Sequence, residues 1–182
     1  MSGPDLTGNG KRVLVLGAET EVGHAVVSAV AGAGASVAAV AAKSDAEAAF
    51  AVQRLARRLA SHERKVIAQA IDATNEAAVR VMVRQVSKEL GGLDAVVWCG
   101  DELGVEMIEA MKLINRLGRK EIERRGGGRI VLVPQGGGGI YEMVHFGPPS
   151  ASETVNVQTV GLTNDEVAAE VIRAIAGEVD SG

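Results

Sequence analysis

The sequence predicts an α/β protein built on a doubly wound parallel sheet. Short apolar runs alternate with helical patterns through the first hundred residues, and this alternation is typical of strand–helix–strand units. Only four of the 182 residues are aromatic, although 47% of the chain is apolar. Alanine, valine, leucine and isoleucine must therefore fill the core, which suits a parallel sheet covered by helices.

The first half contains four predicted strands separated by three helices. The strands are expected at residues 13–16, 36–42, 65–71 and 93–99. The first helix follows at residues 22–33 and stops at Gly34. Ser44, with Glu47 three residues on, has the spacing of a capping box and opens a helix to about residue 60. Thr74 or Asn75 caps the third helix, which Gly91 and Gly92 end near residue 90.

The second half is less regular. Residues 106–123 have a helical pattern, residues 129–133 predict a fifth strand, and residues 154–160 alternate as a sixth. Thr163 and Glu166 form another capping-box spacing, and Gly177 is the expected end of that helix. Five glycines and three prolines lie between the last two predicted strands, and one or two helices of the second half are expected to be short or missing. We expect a flexible leader at residues 1–10 and a single domain over residues 11–178.

Composition excludes several classes of function. The net charge of −4 argues against a nucleic-acid or anionic-membrane partner. Cys99 is the sole cysteine, so an internal disulfide or a multi-cysteine metal site cannot form, and we expect a buried, inert thiol. His24, His62 and His145 have no ligand-like spacing. No signal-type or membrane-spanning run is present, which predicts a cytoplasmic protein.

The order of the segments resembles the short-chain dehydrogenase/reductase family. EAAVRVMVRQVSKEL followed by GLDAVVWCGD is similar to that family's third helix and fourth strand, and GRIVLV to its fifth strand. VNVQTVGLTNDEVAAEVIRAI resembles its sixth strand and last helix. Asp72-Ala73 is similar to its Asp-Val pair, whose carboxylate meets the adenine amino group. The resemblance implies a Rossmann-like fold and an NAD(P) cofactor.

The first turn departs from the family pattern. VLVLGAETEVGHAVV keeps Gly17 and Gly23, which suffice for a tight turn and close helix–strand packing. The middle glycine, however, is Glu21, or Thr20 if the loop is aligned differently. Carboxylates of Glu19 and Glu21 near a pyrophosphate cost roughly 1–4 kcal/mol each at ~4 Å. Attraction of the anion to the helix N-terminus contributes only ~0.3–1 kcal/mol. Repulsion is therefore expected to exceed attraction unless both side chains turn outward.

The resemblance implies further cofactor contacts. The second strand ends without the acid that binds an NAD ribose, and Lys43 would meet a 2′-phosphate instead. NADP is therefore slightly favoured over NAD, and binding of neither is an equal alternative. Alternatively, Lys43 is a solvated residue at the end of a strand. Trp98 either covers the cofactor crevice or fills the rim of the core. The cofactor-binding candidates are Gly17, Thr20, Val22, Gly23, Lys43, Asp72, Ala73, Trp98 and Gly100.

The family's catalytic residues are an Asn, a Ser, a Tyr and a Lys. Asn115 lies in a helix of the right order, and Tyr141 with His145 has the Tyr-x-x-x-Lys spacing with histidine in place of lysine. Gln135 stands at the expected serine, only six residues before Tyr141. A general acid must reach its proton at hydrogen-bond distance, and a glycine-rich loop is a poor support for one.

Three hypotheses follow. The first is a degenerate family member that acts as a binding, regulatory or structural subunit. The second is a divergent NADP-dependent oxidoreductase that reduces a carbonyl, with Tyr141 as acid, which Tyr141→Phe would test. The third is a nucleotide-sensing domain that holds adenine at Asp72. Because helices of the family's usual dimer are expected to be short or missing, a protein partner or a non-standard homo-oligomer is predicted.

Overall fold

The computed structural model describes residues 6, 10–99, 105–124, 126–133, 152–157, 159 and 161–177. Six strands and five helices lie in these ranges. The strands are β1 (Arg12–Leu16), β2 (Ser36–Ala41), β3 (Val66–Ala70), β4 (Ala95–Trp98), β5 (Gly128–Leu132) and β6 (Ser152–Asn156). The helices are α1 (Glu21–Gly32), α2 (Ala46–Leu59), α3 (Glu76–Leu90), α4 (Val105–Glu123) and α5 (Asn164–Ala176).

All six strands form one parallel sheet in the order β3-β2-β1-β4-β5-β6. Helices cover both faces because the side chains of each strand alternate between them. On one face, Val13 and Val15 of β1 pack in a cluster with residues of α1, α2 and α5. On the other, Leu14 and Leu16 pack with residues of α3 and α4. The predicted doubly wound, Rossmann-like sheet is confirmed.

Several helix ends follow the sequence signals. Asn75, one of the two predicted caps of α3, accepts from the Ala78 N–H, and Gly91 ends that helix in the left-handed region at φ 81°. Thr163 caps α5 by accepting from the Glu166 N–H, and Gly177 ends it at φ 79°. The short polar side chains and the glycines thus act where the pattern placed them.

Other expectations need correction. The cap of α2 is Asp45, which accepts from the Ala48 N–H at 2.8 Å, and not Ser44. The sixth strand is Ser152–Asn156, so it begins and ends earlier than predicted. The helix after β4 begins one residue before the predicted residue 106 and spans 19 residues. A Cβ on its Gly118 would come within 2.9 Å of Val96, so this glycine lets α4 approach the sheet closely.

Part of the expected leader belongs to the core. Leu6 is 2% exposed, packs in the cluster with α1, and donates from its N–H to the Ala33 carbonyl at 3.0 Å. Leu6, within the predicted leader, therefore packs against the end of α1.

None of the described helices is both long enough and apolar enough to cross a membrane.

Candidate functional site

The strand order creates one natural place for a ligand. The chain reverses its direction of travel across the sheet between β1 and β4, which lie side by side. In open α/β sheets, ligands bind at such a switch point, beyond the carboxyl ends of the strands. The turn from β1 into α1 lies there, and it contains the departures from the family pattern.

Two glycines hold this turn. Gly17 has φ 90°, a conformation that residues with a Cβ rarely adopt. A Cβ on Gly23 would overlap the carbonyl oxygen of Gly17. The tight turn and the close approach of α1 to β1 therefore depend on these two glycines, as the sequence predicted.

The hydroxyl of Thr20 completes the start of α1. Its Oγ1 accepts from the Gly23 N–H at 2.9 Å, donates to the Gly17 carbonyl at 2.8 Å, and lies 3.2 Å from the Cys99 carbonyl. Thr20 is thus an N-cap that also ties the helix to the end of β4. The N–H groups of Glu21 and Val22 have no acceptor among the described groups, and the Val22 side chain is buried. These two N–H groups are the donors that the turn presents to an anion.

Glu19 does not extend freely into the space beyond the turn. Its Oε2 accepts from the backbone N–H of Ala42 at 3.1 Å, just past the end of β2. The sequence predicted a carboxylate beside the pyrophosphate position, and the structure instead bonds this one to the neighbouring strand end. A strand end has unsatisfied N–H groups, and a carboxylate is a strong acceptor for them.

Glu21 is the first residue of α1 and is exposed. No described residue other than glycine has positive φ, so glutamate replaces the middle glycine without backbone strain. Its side chain lines a hollow of about 760 Å³ between α1 and the start of α5, together with His24, Arg58 and Asp165. Favourable interaction with the N-terminal dipole of α1 accounts for an acid at this position.

The ends of β2 and β3 carry the other cofactor candidates. Lys43 is exposed two residues beyond β2. Ala73 is buried and donates to the Ala42 carbonyl at 3.1 Å. The Asp72 carboxylate is exposed and accepts from the N–H and hydroxyl of Thr74 at 3.0 and 2.6 Å, and these bonds lower the pKa of Asp72.

The last residues of β4 are buried in the core and do not line an open crevice. Trp98 is 2% exposed and packs in the cluster with α3 and α4, so it fills the core and does not cover an open cleft. Cys99 faces the opposite cluster and is fully buried. Burial, with a smaller contribution from Glu19, raises the pKa of the Cys99 thiol. Gly100 lies outside the described residues.

Only one catalytic candidate lies in the described part of the chain. Asn115 is 3% exposed on α4, and its Oδ1 accepts from Arg119 at 3.4 Å. Arg119 also donates to Thr154 of β6 at 2.7 Å. Asn115 therefore belongs to a partly buried hydrogen-bonded link between α4 and the sixth strand. Tyr141 and His145 lie outside the described residues.

The described residues contain no cluster of three or more acidic, histidine or cysteine side chains able to hold a metal ion. His24 is exposed on α1, as expected, but its Nε2 accepts from Arg58 of α2 at 2.9 Å. Burial and the charge of Arg58 lower the pKa of His24. Sequence spacing gave no signal for this contact or for the bond from Glu19 to Ala42, since each joins residues far apart in the chain.

The parallel sheet, its switch point and the glycine turn define a dinucleotide-binding type of α/β fold. Comparison with family models agrees, because residues 11–124 match the model described as short chain dehydrogenase. The chain therefore belongs to the short-chain dehydrogenase family. A comparison with curated protein sequences finds no match.

Solved structures of this family have a similar fold. A short-chain type dehydrogenase/reductase from Mycobacterium ulcerans is 26% identical with a TM-score of 0.58, over 73% of this chain and 52% of that one. A blue fluorescent protein from a metagenomic library, in complex with NADPH, is 25% identical with a TM-score of 0.55, over 68% and 55%. A 3-ketoacyl-ACP reductase from Sinorhizobium meliloti 1021, 24% identical with a TM-score of 0.58 over 67% and 52%, shows likeness of fold alone. The chain spans about half the length of the structures it matches.

Proposed function

We propose that this chain is a short-chain dehydrogenase relative that works as a binding or regulatory subunit and not as an oxidoreductase on its own. The observation that carries the proposal is the pair of acidic residues, Glu19 and Glu21, on either side of the Thr20 cap of α1. They lie at the turn where the family's dinucleotide fold receives a pyrophosphate.

The residues of this turn do not fit a pyrophosphate well. A carboxylate at about 4 Å from a phosphate charge opposes binding by roughly 1–4 kcal/mol, depending on solvation. The dipole of α1 favours binding of the phosphate by only about 0.3–1 kcal/mol at an exposed site. The bond to Ala42 holds Glu19 at the end of β2, but Glu21 lies at the helix terminus beside the two N–H groups that have no described acceptor. Net repulsion of a pyrophosphate follows.

The charges at the end of β2 also bear on the choice of cofactor. Lys43 alone favours the 2′-phosphate of NADP over the ribose hydroxyl of NAD. The Glu19 carboxylate is bonded at Ala42, the residue directly before Lys43, and has the opposite sign. The preference for NADP that Lys43 predicts is therefore weakened, and weak binding of both cofactors is expected.

Reversal of the acidic substitutions tests the proposal. We expect NADPH and NADH to leave the melting temperature of the wild-type chain unchanged. We expect Glu21→Gly, alone or with Glu19→Gln, to produce a cofactor-dependent rise, because the repulsion is removed while Gly17, Thr20 and Gly23 are kept. A wild-type rise as large as that of the double variant would contradict the proposal, as would reduction of a carbonyl by NADPH with the purified chain alone.

A nucleotide-sensing role is the second candidate, and Asp72 favours it. Its carboxylate is exposed at the end of β3 and is held by Thr74, so the position that would meet an adenine amino group keeps its acceptor. The experiment is a titration with AMP, whose single phosphate meets less repulsion from the acidic residues of the turn than a pyrophosphate does. Sensing requires that Asp72→Ala weakens AMP binding while Glu89→Ala, at the far end of α3, does not.

The divergent NADP-dependent oxidoreductase draws its support from family membership and from the NADPH complex of one structural relative. Carbonyl reduction by the purified chain that disappears in Tyr141→Phe would favour this third candidate over the other two.

A further inference from the structure

Helix α2 presents a surface that the proposed function does not use. Arg54, Arg57 and Arg58 are exposed on its second half, and Phe50 one turn earlier is 58% exposed. We call these four residues, with His24 of α1 beside them, the arginine face. Three guanidinium groups within five residues are notable in a chain whose net charge is −4.

The three arginines have no ion pair with a described carboxylate. Arg54 lies over the ring of Phe50, 5.6 Å from its centroid, and Arg58 donates to Nε2 of His24 at 2.9 Å. Elsewhere in the described part of the chain, five arginines meet carboxylates: Arg12, Arg80, Arg116, Arg124 and Arg173. Among the described residues, no carboxylate is paired with the positive charge of the arginine face.

The surface is also concave. A groove of about 510 Å³ runs between α1 and α2, lined by His24, Leu55 and all three arginines. It meets the hollow beside α1 at His24 and Arg58, which line both. The face thus offers a groove with an apolar floor at Leu55 and a charged rim.

The chemistry of these groups selects an anionic ligand. Guanidinium groups bind carboxylates with paired, charge-assisted hydrogen bonds. Arginine and aromatic side chains are enriched at protein interfaces. From Phe50 to Arg58 the helix advances about 12 Å at 1.5 Å per residue, which is longer than one phosphate group and suits an extended segment. The net charge of −4 opposes the binding of nucleic acid.

We propose that the arginine face binds an acidic segment of a partner protein, with carboxylates on the arginines and an apolar side chain against Phe50. This inference rests on the proposed function, because it names the surface by which a non-catalytic subunit would meet its partner. The surface lies on α2 and His24 of α1, and its groove adjoins the hollow beside the turn after β1.

The test uses the full-length chain and a short fluorescent peptide of glutamates with one central phenylalanine. Anisotropy should show binding that weakens at high salt, while the matching lysine peptide should not bind. Arg57→Glu should weaken binding by about tenfold or more, equivalent to 1.4 kcal/mol per factor of ten. Arg84→Glu, the same charge change on exposed α3 across the sheet, should leave it unchanged.

Three outcomes would overturn the proposal. The first is an absence of peptide binding at low salt, or an equal loss in Arg57→Glu and Arg84→Glu. The second is tighter binding of tripolyphosphate than of the peptide, which would indicate a small anion as the ligand. The third is a dimer in sedimentation that Arg57→Glu dissociates, which would make a second copy of the chain the occupant. Failure of the peptide to bind leaves the cofactor melting experiment unaffected, so the two proposals fail separately.

Discussion

The carboxylate of Glu19, in the turn after β1, accepts a 3.1 Å hydrogen bond from the backbone N–H of Ala42, just past the end of β2. This bond joins two neighbouring loops at the carboxyl edge of the sheet. It places a negative charge beside Lys43 and leaves Glu21 as the acid at the start of α1. The stability of this edge and its affinity for anions therefore depend on the same few residues.

Removing Glu19 should destabilise the fold. Glu19→Ala leaves the Ala42 N–H without its acceptor, and we expect a loss of about 1–2 kcal/mol for this partly exposed, charge-assisted bond. The free energy of unfolding in urea measures the loss. Glu21→Gln is the control, and it should change that free energy by about 0.3–1 kcal/mol, which is less than the effect expected for Glu19→Ala. Equal effects of the two variants would mean that the bond to Ala42 contributes nothing.

Gly23→Ala should be among the most destabilising single substitutions in α1. The added methyl group would overlap the Gly17 carbonyl, and displacing the helix from β1 should cost about 1–3 kcal/mol or more. Gly32→Ala is a matched control in the same helix, because a Cβ there meets nothing within 4 Å. It should stabilise the chain by about 0.5–1 kcal/mol, and urea unfolding of both variants should show opposite signs.

Thr20→Val should uncap α1. It keeps the shape of the side chain and removes the hydroxyl that serves the Gly23 N–H and the carbonyls of Gly17 and Cys99. We expect a loss of about 1–3 kcal/mol, whereas Thr20→Ser should retain most of the stability. A serine variant as unstable as the valine variant would show that the methyl group matters and the hydroxyl does not.

The pH dependence of stability should contain a contribution from His24. Its pKa is lowered in the folded chain, so the unfolded chain binds the proton more readily. The contribution is complete above the usual pKa of 6.5 and is lost as the pH falls through the lowered value. The melting temperature should therefore drop below neutral pH, and His24→Gln should reduce that drop. Replacement of His62 serves as the comparison; a drop equally sensitive to both histidines would contradict this assignment.

Cys99 should resist thiol reagents in the native protein. It is fully buried, and burial raises the pKa of its thiol, so little thiolate is present or accessible. Labelling with a chromogenic disulfide should be slow in buffer and immediate in denaturant. Since the chain has one cysteine, the signal needs no assignment. Rapid labelling in buffer would show that the end of β4 opens readily.

The sequence predicts the sheet well because its strands are short apolar runs and its helix ends carry glycines and short polar caps. Where two neighbouring residues are equally good signals, tertiary structure decides, as at Ser44 and Asp45. The predicted bounds of the sixth strand were too late in the chain because the alternation of apolar and polar residues continues past the end of the observed strand. The register of that strand is set by its pairing with β5, where Ile130 faces Thr154. The local sequence pattern shows neither which residue caps α2 nor where β6 pairs with β5.

The site was less predictable than the fold. The roles of Gly17 and Gly23 could be predicted from the sequence, because the conformation of one and the contacts of the other exclude a Cβ. The direction of the Glu19 side chain depends on Ala42, 23 residues away, and the placement of Trp98 depends on which face of β4 it occupies. Such contacts become visible only when the strands are assembled.

Calorimetric titration of the wild-type chain with NADPH and then NADH tests whether the turn after β1 rejects a dinucleotide. We expect no measurable heat for either cofactor, or a dissociation constant weaker than about 100 µM, which corresponds to roughly −5.5 kcal/mol. Binding tighter than that value would mean that the turn accepts a pyrophosphate despite Glu21. The proposal of a non-catalytic subunit would then be contradicted, and an oxidoreductase or nucleotide sensor would take its place.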